Sequence, residues 1–280
     1  MLKLLAMASL LAVASVCKAT STSLLDELVS QKSAVLDLIQ RKSTKRLLAF
    51  AQDEAFADYF NAADDKSRTA AKARIDRLSL NLQLTLKLDS VGTLNNAGGV
   101  ISRANNGQVD DHTTLSVATP TFFDEAFERK PNSVSVSIGH DFSENRCMVM
   151  TYATPIKIGN VKRGVVYLSQ KLVNYQLPFF NKFRSEDGVY VVAVNEAGTV
   201  FADSRLSAMN VCRRSDLDST QRTAVLSEQG LCTQTLLESP LQERIIDDGH
   251  DNRYEIAQQK SAFWTVIGVK KNPVKKNKKL

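Results

Sequence analysis

The residues best suited to acid–base or metal chemistry lie around one histidine. His140 is followed by Asp141 and Glu144, a set that could ligate a metal ion or supply a general base. However, the stretch Gly139-His140-Asp141 recurs as Gly249-His250-Asp251, each time at the entry to a predicted strand. A turn explains this recurrence better than a reaction centre does. We therefore predict neither catalysis nor a metal site at this histidine.

Other catalytic patterns are missing from the sequence. It contains no Gly-x-Ser-x-Gly, no phosphate-binding loop, no His-Glu-x-x-His and no Gly-x-Gly-x-x-Gly. It also contains no Cys-x-x-Cys, so a structural zinc site or a redox motif has no support. The sequence thus predicts a protein that is not an enzyme and needs no cofactor. A pocket for a small molecule is the better hypothesis.

The formal net charge of +6 comes from the two ends of the chain. Without eight terminal lysines, the body retains 28 of the 36 basic residues against 30 acidic ones. A body so near neutrality lacks the basic surface that phosphate backbones require, so we predict no nucleic-acid partner. The lysine-rich segment 271–280 is either a disordered solubilising end or a weak contact for anionic lipid or an acidic partner. The eight lysines are Lys3, Lys18, Lys270, Lys271, Lys275, Lys276, Lys278 and Lys279.

Residues 1–19 have the parts of a secretory signal peptide. Lys3 gives a positive start, an uncharged run extends from Leu4 to Val16, and small residues precede a cut after Ala19. The run is shorter than the roughly 20 apolar residues that a membrane helix needs. A retained anchor helix and a lipid anchor on Cys17 are the alternatives. We expect an exported protein, either periplasmic or secreted.

Three cysteines remain after such a cut: Cys147, Cys212 and Cys232. In an oxidising compartment Cys212 and Cys232 can close a loop of about 20 residues, which is worth about 3 kcal/mol in the chain-entropy model. Cys147 lies in an apolar, strand-like run and is typical of a buried free thiol. We predict the Cys212–Cys232 disulfide, with three reduced cysteines as the alternative.

The elements that must position any pocket begin with helices, in the segment 20–80. Ser23 suits an N-cap, and apolar residues recur at helical spacing from Leu25 to about Phe60 without a Gly or Pro. A second helix is predicted from about Asp65 to Leu80. A long helix exposed on one side either pairs with a copy of itself or packs on its own domain.

The remaining chain contains an internal repeat of strands. Residues 95–101 resemble 195–201, and each stretch has the Asn and Gly pattern of a tight hairpin. After each Gly-His-Asp stretch comes a strand, a turn and another strand. We therefore predict an α+β fold in which a long N-terminal helix carries two antiparallel-sheet modules in tandem, over 81–175 and 176–270.

With this organisation, the chain resembles the double Cache extracellular sensor domains of bacterial receptors. Three stretches carry the resemblance: Phe122–Glu128, Thr154–Ile156 with Gly164–Leu168, and Phe263–Val269. The resemblance implies two PAS-like modules on one long helix, the first of them membrane-distal. The chain departs from the amino-acid-binding subfamily, because it lacks the Tyr…Arg-x-Trp-Tyr signature and has Ser169 where that subfamily has Asp. It also ends without the output domain that family members usually carry.

In a PAS-like module the ligand lies between the sheet and a covering helix or loop. The resemblance therefore implies a ligand site in the first module, with an apolar wall, arginines to meet a carboxylate or phosphate, and polar residues alternating along the last two strands. Core packing is the alternative role for the aromatic residues, and a solvated surface is the alternative for each arginine. The candidate residues are Arg103, Phe122, Phe123, Phe127, Arg129, Arg146, Tyr152, Thr154, Tyr167 and Ser169.

The function expected from these features is small-molecule sensing, with an organic anion as one candidate ligand. Since the sequence has no output domain, we expect signalling through a separate membrane-receptor partner and dimerisation through the N-terminal helix. A secreted interaction or scaffold protein with a degenerate pocket is the first alternative. A secreted enzyme of unfamiliar type is the second.

Overall fold

The computed structural model describes residues 23–110, 122–140, 148–180, 188–196, 200–204, 245–247 and 252–273. Four predictions fall outside these residues: the signal peptide at 1–19, the Cys212–Cys232 disulfide, the buried thiol of Cys147 and the site residue Arg146. The lysine-rich tail is described only as far as residue 273.

The N-terminal segment forms three helices: α1 (Leu24–Ala51), α2 (Glu54–Phe60) and α3 (Asp65–Leu86). Ser23 caps α1 in a capping box with Asp26, as its sequence position predicts. The predicted uninterrupted helix to Phe60 is wrong, because Asp53 caps a new helix by accepting a hydrogen bond from the Ala55 N–H. Helix α3 ends at Leu86, and its C-cap Lys87 has a left-handed φ of 54°.

The first sheet contains six antiparallel strands in the spatial order β3-β2-β1-β6-β5-β4. A short helix, α4 (Phe123–Glu128), lies between β3 and β4 in sequence. The hairpin predicted near residue 95 joins β1 to β2, and Gly98 supplies its positive φ of 79°. The strands are β1 (Ser90–Asn95), β2 (Val100–Asn105), β3 (Gln108–Val109), β4 (Ser135–His140), β5 (Met148–Ile158) and β6 (Val161–Lys171).

The second sheet repeats this arrangement after a connecting helix, α5 (Val173–Phe180). Among the described residues its strand order is β8-β7-β11-β10-β9, which matches the order β2-β1-β6-β5-β4 of the first sheet. Asn95 pairs with Gly164 in the first sheet, and Asn195 pairs with Trp264 in the second. Irregular register also occurs at matching places, between Thr93 and Leu94 and between Ala193 and Val194. The strands are β7 (Val189–Asn195), β8 (Val200–Asp203), β9 (Ile245–Asp247), β10 (Asn252–Lys260) and β11 (Trp264–Pro273).

Helix α1 runs along one face of both sheets, which we call the inner face of each. It contacts β5 and β6 of the first sheet and β10 and β11 of the second. Its buried side chains, such as Leu36 and Leu47, join the inner-face residues Val91 and Leu168 in the main hydrophobic core. The predicted fold class, a long N-terminal helix carrying two antiparallel sheets, is confirmed. Within the described ranges, no helix combines the length and apolar character needed to cross a membrane.

Candidate ligand site

The outer face of the first sheet, opposite α1, carries a row of small, polar and aromatic side chains. Directly paired residues of antiparallel strands project to the same face, so the register identifies its members. One row contains Arg103, Gly92, Tyr167 and Ala153, and the neighbouring row contains Ser90, Ser169 and Thr151. Helix α4 packs against β5 and β6. We call this outer face, together with the side chains of α4 that pack on it, the candidate site.

An apolar cluster forms one part of the candidate site. The ring of Phe122 lies 5.1 Å from that of Tyr167, and Phe123 stacks on Phe127 with ring centroids 5.5 Å apart. Gly92 is essential to this packing, because a Cβ there would lie 2.6 Å from three atoms of the Tyr167 ring and hydroxyl. The absence of a side chain at Gly92 therefore lets Tyr167 lie close over the sheet. Three of the predicted aromatic residues thus meet Tyr167 in one cluster.

Polar side chains continue the candidate site along the strands. The hydroxyls of Thr151 and Ser169 are 2.9 Å apart and buried. Arg103 is only 4% exposed, and its Nε lies 3.3 Å from the Asp110 carboxylate. A buried guanidinium is unusual unless it is paired, and it presents several donors in a fixed plane. The outer face therefore joins an aromatic wall to a row of hydroxyls and a buried cation.

Helix α4 is fastened to the sheet at its C-terminal end. The Lys162 ammonium of β6 donates a hydrogen bond to the Phe127 carbonyl at 2.6 Å and lies 5.6 Å from the centre of the Phe127 ring. Arg129 follows α4 and pairs with Glu125 at 2.7 Å, with 40% of its side chain exposed. Arg129 therefore forms an ion pair at the surface, whereas Arg103 is buried.

Tyr152 and Thr154 lie on the inner face, so the prediction that they share a face with Tyr167 and Ser169 is wrong. The register pairs Ala153, not Tyr152, with Tyr167. The Tyr152 hydroxyl is 2.9 Å from the Tyr175 hydroxyl, and burial raises the pKa of Tyr152. Thr154 donates to the Ser133 carbonyl at 2.8 Å. We therefore leave both residues out of the candidate site.

Four residues of these outer-face rows were not predicted: Ser90, Gly92, Thr151 and Ala153. The signal that could have found them is strand alternation combined with the correct pairing register, because each lies directly beside Tyr167 or Ser169 in the sheet.

His140, Asp141 and Glu144 are the residues whose types best suit metal or acid–base chemistry. His140 is the last residue of β4, whereas Asp141 and Glu144 fall outside the described residues. In the part of the chain that the structure describes, no three His, Cys, Asp or Glu side chains are placed to hold a metal ion.

A separate open groove of about 550 Å³ lies between helices α2 and α3. Alanines and Arg74 line most of it, and Arg74 is held by Glu54 at 2.8 Å and Asp58 at 2.5 Å. Both carboxylates pair with the Arg74 guanidinium, which lies at the surface. The groove therefore lacks the buried polar groups that distinguish the outer face of the first sheet.

Comparison with solved structures gives matches over nearly the whole chain. The sensor domain of the V. cholerae histidine kinase DctB is 16% identical, with a TM-score of 0.57, and covers 89% of this chain and 98% of its own. The ligand-binding domain of the Campylobacter jejuni chemoreceptor Tlp3, solved with 4-methylisoleucine, is 13% identical, with a TM-score of 0.61, and covers 90% of this chain and 94% of its own. No protein-family model and no curated protein sequence matches the chain.

This chain has the double Cache fold. A domain of a sensory box/GGDEF family protein from Vibrio parahaemolyticus also matches, at 12% identity and a TM-score of 0.54, over 88% of this chain and 91% of its own. The predicted resemblance is thus confirmed as a likeness of fold. In the Cache fold described here, the candidate site belongs to the first sheet, and α1 supports both sheets.

Proposed function

We propose that the chain is an exported small-molecule sensor of the double Cache type, with its ligand bound in the candidate site. One observation carries this proposal: an aromatic wall, a row of buried hydroxyls and a buried arginine meet on the outer face of the first sheet. Apolar surface with a few fixed polar groups is the composition typical of small-molecule pockets. The named structural neighbours are sensor domains, one of them solved with a bound amino-acid analogue, which supports a sensing role.

The ligand chemistry that suits these residues is a small organic anion with an apolar part. Arg103 supplies planar donors for a carboxylate, and Thr151 and Ser169 supply hydroxyls for further hydrogen bonds. The apolar part packs against Phe122 and Tyr167. Ser169 replaces the acidic residue expected for an amino-acid ammonium, so a free amino acid is not the favoured ligand.

We further propose that the chain signals together with a membrane-receptor partner. Two of the named neighbours are domains of a histidine kinase and of a chemoreceptor, which favours a membrane-receptor partner for this chain. The exposed apolar residues Leu24, Val35 and Leu38 of α1 favour a homodimer through the N-terminal helix. Ligand binding then acts by favouring one arrangement of sheet and helix over another.

A scaffold role with a filled pocket is the second candidate, and one observation favours it. Phe122, Phe123 and Tyr167 bury one another, and Arg103 is already paired with Asp110. Side chains packed in this way can occupy the space that a ligand would need. The two candidates differ in whether any small molecule binds there.

A thermal-shift screen of residues 20–280 against organic acids, amines, purines and amino acids separates these candidates. A ligand at 100 times its dissociation constant adds about 2.7 kcal/mol of stability, which raises the melting temperature by roughly 5–10 °C. The shift should survive in Arg129→Met, a surface control, and disappear in Arg103→Met. Ser169→Ala, a milder change, should weaken the binding measured by calorimetry. No shift across the library, or equal shifts in both arginine variants, would reject the proposed site.

A further inference from the structure

Helix α5 connects the two sheets, and two adjacent residues of it are held by different sheets. Tyr175 bonds to side chains of the first sheet, and Gln176 bonds to the backbone of the second. Both side chains are fully buried. Because the two residues are adjacent in one short helix, we expect a shift of Tyr175 to move Gln176 as well.

Tyr175 contacts residues of the first sheet that are next to residues of the candidate site. The Tyr175 hydroxyl donates to Gln170 Oε1 at 2.8 Å and lies 2.9 Å from the Tyr152 hydroxyl. Tyr152 and Gln170 project from the inner face. Their chain neighbours, Thr151 and Ser169, project from the outer face and bond to each other there. On each strand, the hydroxyl that faces the candidate site therefore belongs to the residue next to one that holds α5.

The contact with the second sheet involves both amide atoms of Gln176. Its Oε1 accepts from the Asp203 N–H at 2.7 Å, and its Nε2 donates to the Asp203 carbonyl. The ring of Phe201, two residues earlier on β8, meets the Tyr175 ring edge-on at 6.2 Å between centroids. Breaking these contacts leaves buried peptide groups without partners, which carries a desolvation penalty. Strand β8 is thus tied to the position of α5.

Helix α1 is tied to the same connector. The Lys32 ammonium donates a hydrogen bond to the Pro178 carbonyl and lies 5.8 Å from the centre of the Phe179 ring. Burial lowers the pKa of Lys32. Gln170, which accepts from Tyr175, also donates to the Ser43 hydroxyl of α1 at 3.4 Å. The connector therefore contacts the first sheet, the second sheet and the helix that carries both.

We propose that α5 couples the two sheets, with Tyr175 sensing the strands of the candidate site and Gln176 passing the change to β8. This inference rests on the proposed function for its biological meaning, because the coupled site is the proposed ligand site. The physical coupling itself needs no ligand. A change at Tyr152 should alter the local stability of β8 through Tyr175 and Gln176, although Tyr152 belongs to the other sheet.

Hydrogen–deuterium exchange of residues 200–204 in the chain 20–280 tests the coupling. Tyr152→Phe removes one buried hydroxyl that contacts Tyr175. Thr154→Val is the matched control, because it removes a buried hydroxyl from the same strand and the same face whose partner is the Ser133 carbonyl. Tyr152→Phe should speed exchange in 200–204 about fivefold, the effect of losing one buried hydrogen bond, whereas Thr154→Val should leave it unchanged.

A second comparison follows the path through α5. In a Gln176→Met background, adding Tyr152→Phe should no longer change exchange in 200–204. Equal effects of Tyr152→Phe and Thr154→Val, or no effect of either, would overturn the coupling, and so would an undiminished effect in the Gln176→Met background. If Gln176→Met does not fold, the first comparison decides alone. Failure here leaves the ligand-binding proposal standing, because that proposal is tested by binding.

Discussion

Replacing Gly92 by alanine tests the geometry of the candidate site most simply. The added methyl carbon would lie 2.6 Å from Cε1, Cζ and the hydroxyl oxygen of Tyr167, whereas carbon atoms normally approach to about 3.5–4.0 Å. Tyr167 is only 2% exposed, and the Phe122 ring packs against it at 5.1 Å. The ring therefore has no free space into which it can move.

The expected cost is that of overpacking a buried site. Adding a methyl group to a well-packed core costs about 1–3 kcal/mol, which lowers the melting temperature by about 2–12 °C. The cost depends on the Tyr167 ring, so Gly92→Ala should cost much less in a Tyr167→Leu background. This non-additivity identifies the contact, since changes at independent sites add.

Denaturant unfolding of four proteins measures this coupling: wild type, each single variant and the double variant. Gly139→Ala is the control, because Gly139 lies in β4 of the same sheet and a Cβ there meets no atom within 4 Å. The control should change the free energy of unfolding by less than about 0.5 kcal/mol. The geometry is refuted if Gly92→Ala costs no more than Gly139→Ala, or if its cost is the same with and without the Tyr167 ring.

Helix α1 and the paired tyrosines supply three more tests. In Gly268→Ala the new methyl carbon would lie 2.6 Å from a side-chain carbon of α1, so chemical denaturation should show a loss of about 1–3 kcal/mol; a neutral result would contradict that packing. Burial lowers the pKa of Lys32, so the folded chain releases this proton first as pH rises, and the stability of wild type relative to Lys32→Met should increase toward pH 10.5; a flat difference would contradict this. Burial raises the pKa values of Tyr152 and Tyr175, so the stability of wild type relative to Tyr152→Phe should fall above pH 10, and absorbance titration should show both phenols protonated until the chain unfolds; ionisation of either in the folded chain would contradict this.

Local signals in the sequence were sufficient for much of the fold. The Asn and Gly pattern after β1 predicts a tight hairpin, and the structure joins β1 to β2 there. The capping residue Ser23 marks the start of α1 as predicted. The break between α1 and α2 contains neither Gly nor Pro, so the absence of those residues does not predict a continuous helix. Asp53, followed by an acidic first turn, was the available signal for a new helix.

The candidate site depended on a feature that the sequence did not reveal. A two-residue turn at 159–160 alone would pair Tyr152 with Tyr167 and place both on one face. However, the register shifts between Ile156 and Lys157, so Ile156 pairs with Gly164 and Tyr152 pairs with Leu168. One extra residue in one strand reverses the faces of all later pairs. Gly164 also brings β6 close to β1, since a Cβ there would lie 2.1 Å from the Leu94 carbonyl oxygen.

The sequence also does not show which of the candidate arginines is buried. Arg103 and Arg129 are chemically identical in the sequence, yet one is buried beside Asp110 and the other forms a surface pair with Glu125. Burial follows from strand pairing and from the position of α4, which are long-range properties. Composition and spacing therefore identified arginine as useful without showing which arginine faces the site.

The proposed sensing role requires that a small molecule binds on the outer face of the first sheet. Hydrogen–deuterium exchange of residues 20–280, with and without the best compound from the thermal-shift screen, tests it directly. Bound compound should slow exchange in α4, β1, β5 and β6, and this protection should be lost in Arg103→Met. Protection confined to the second sheet, or unchanged exchange at a concentration that saturates the thermal shift, would contradict it.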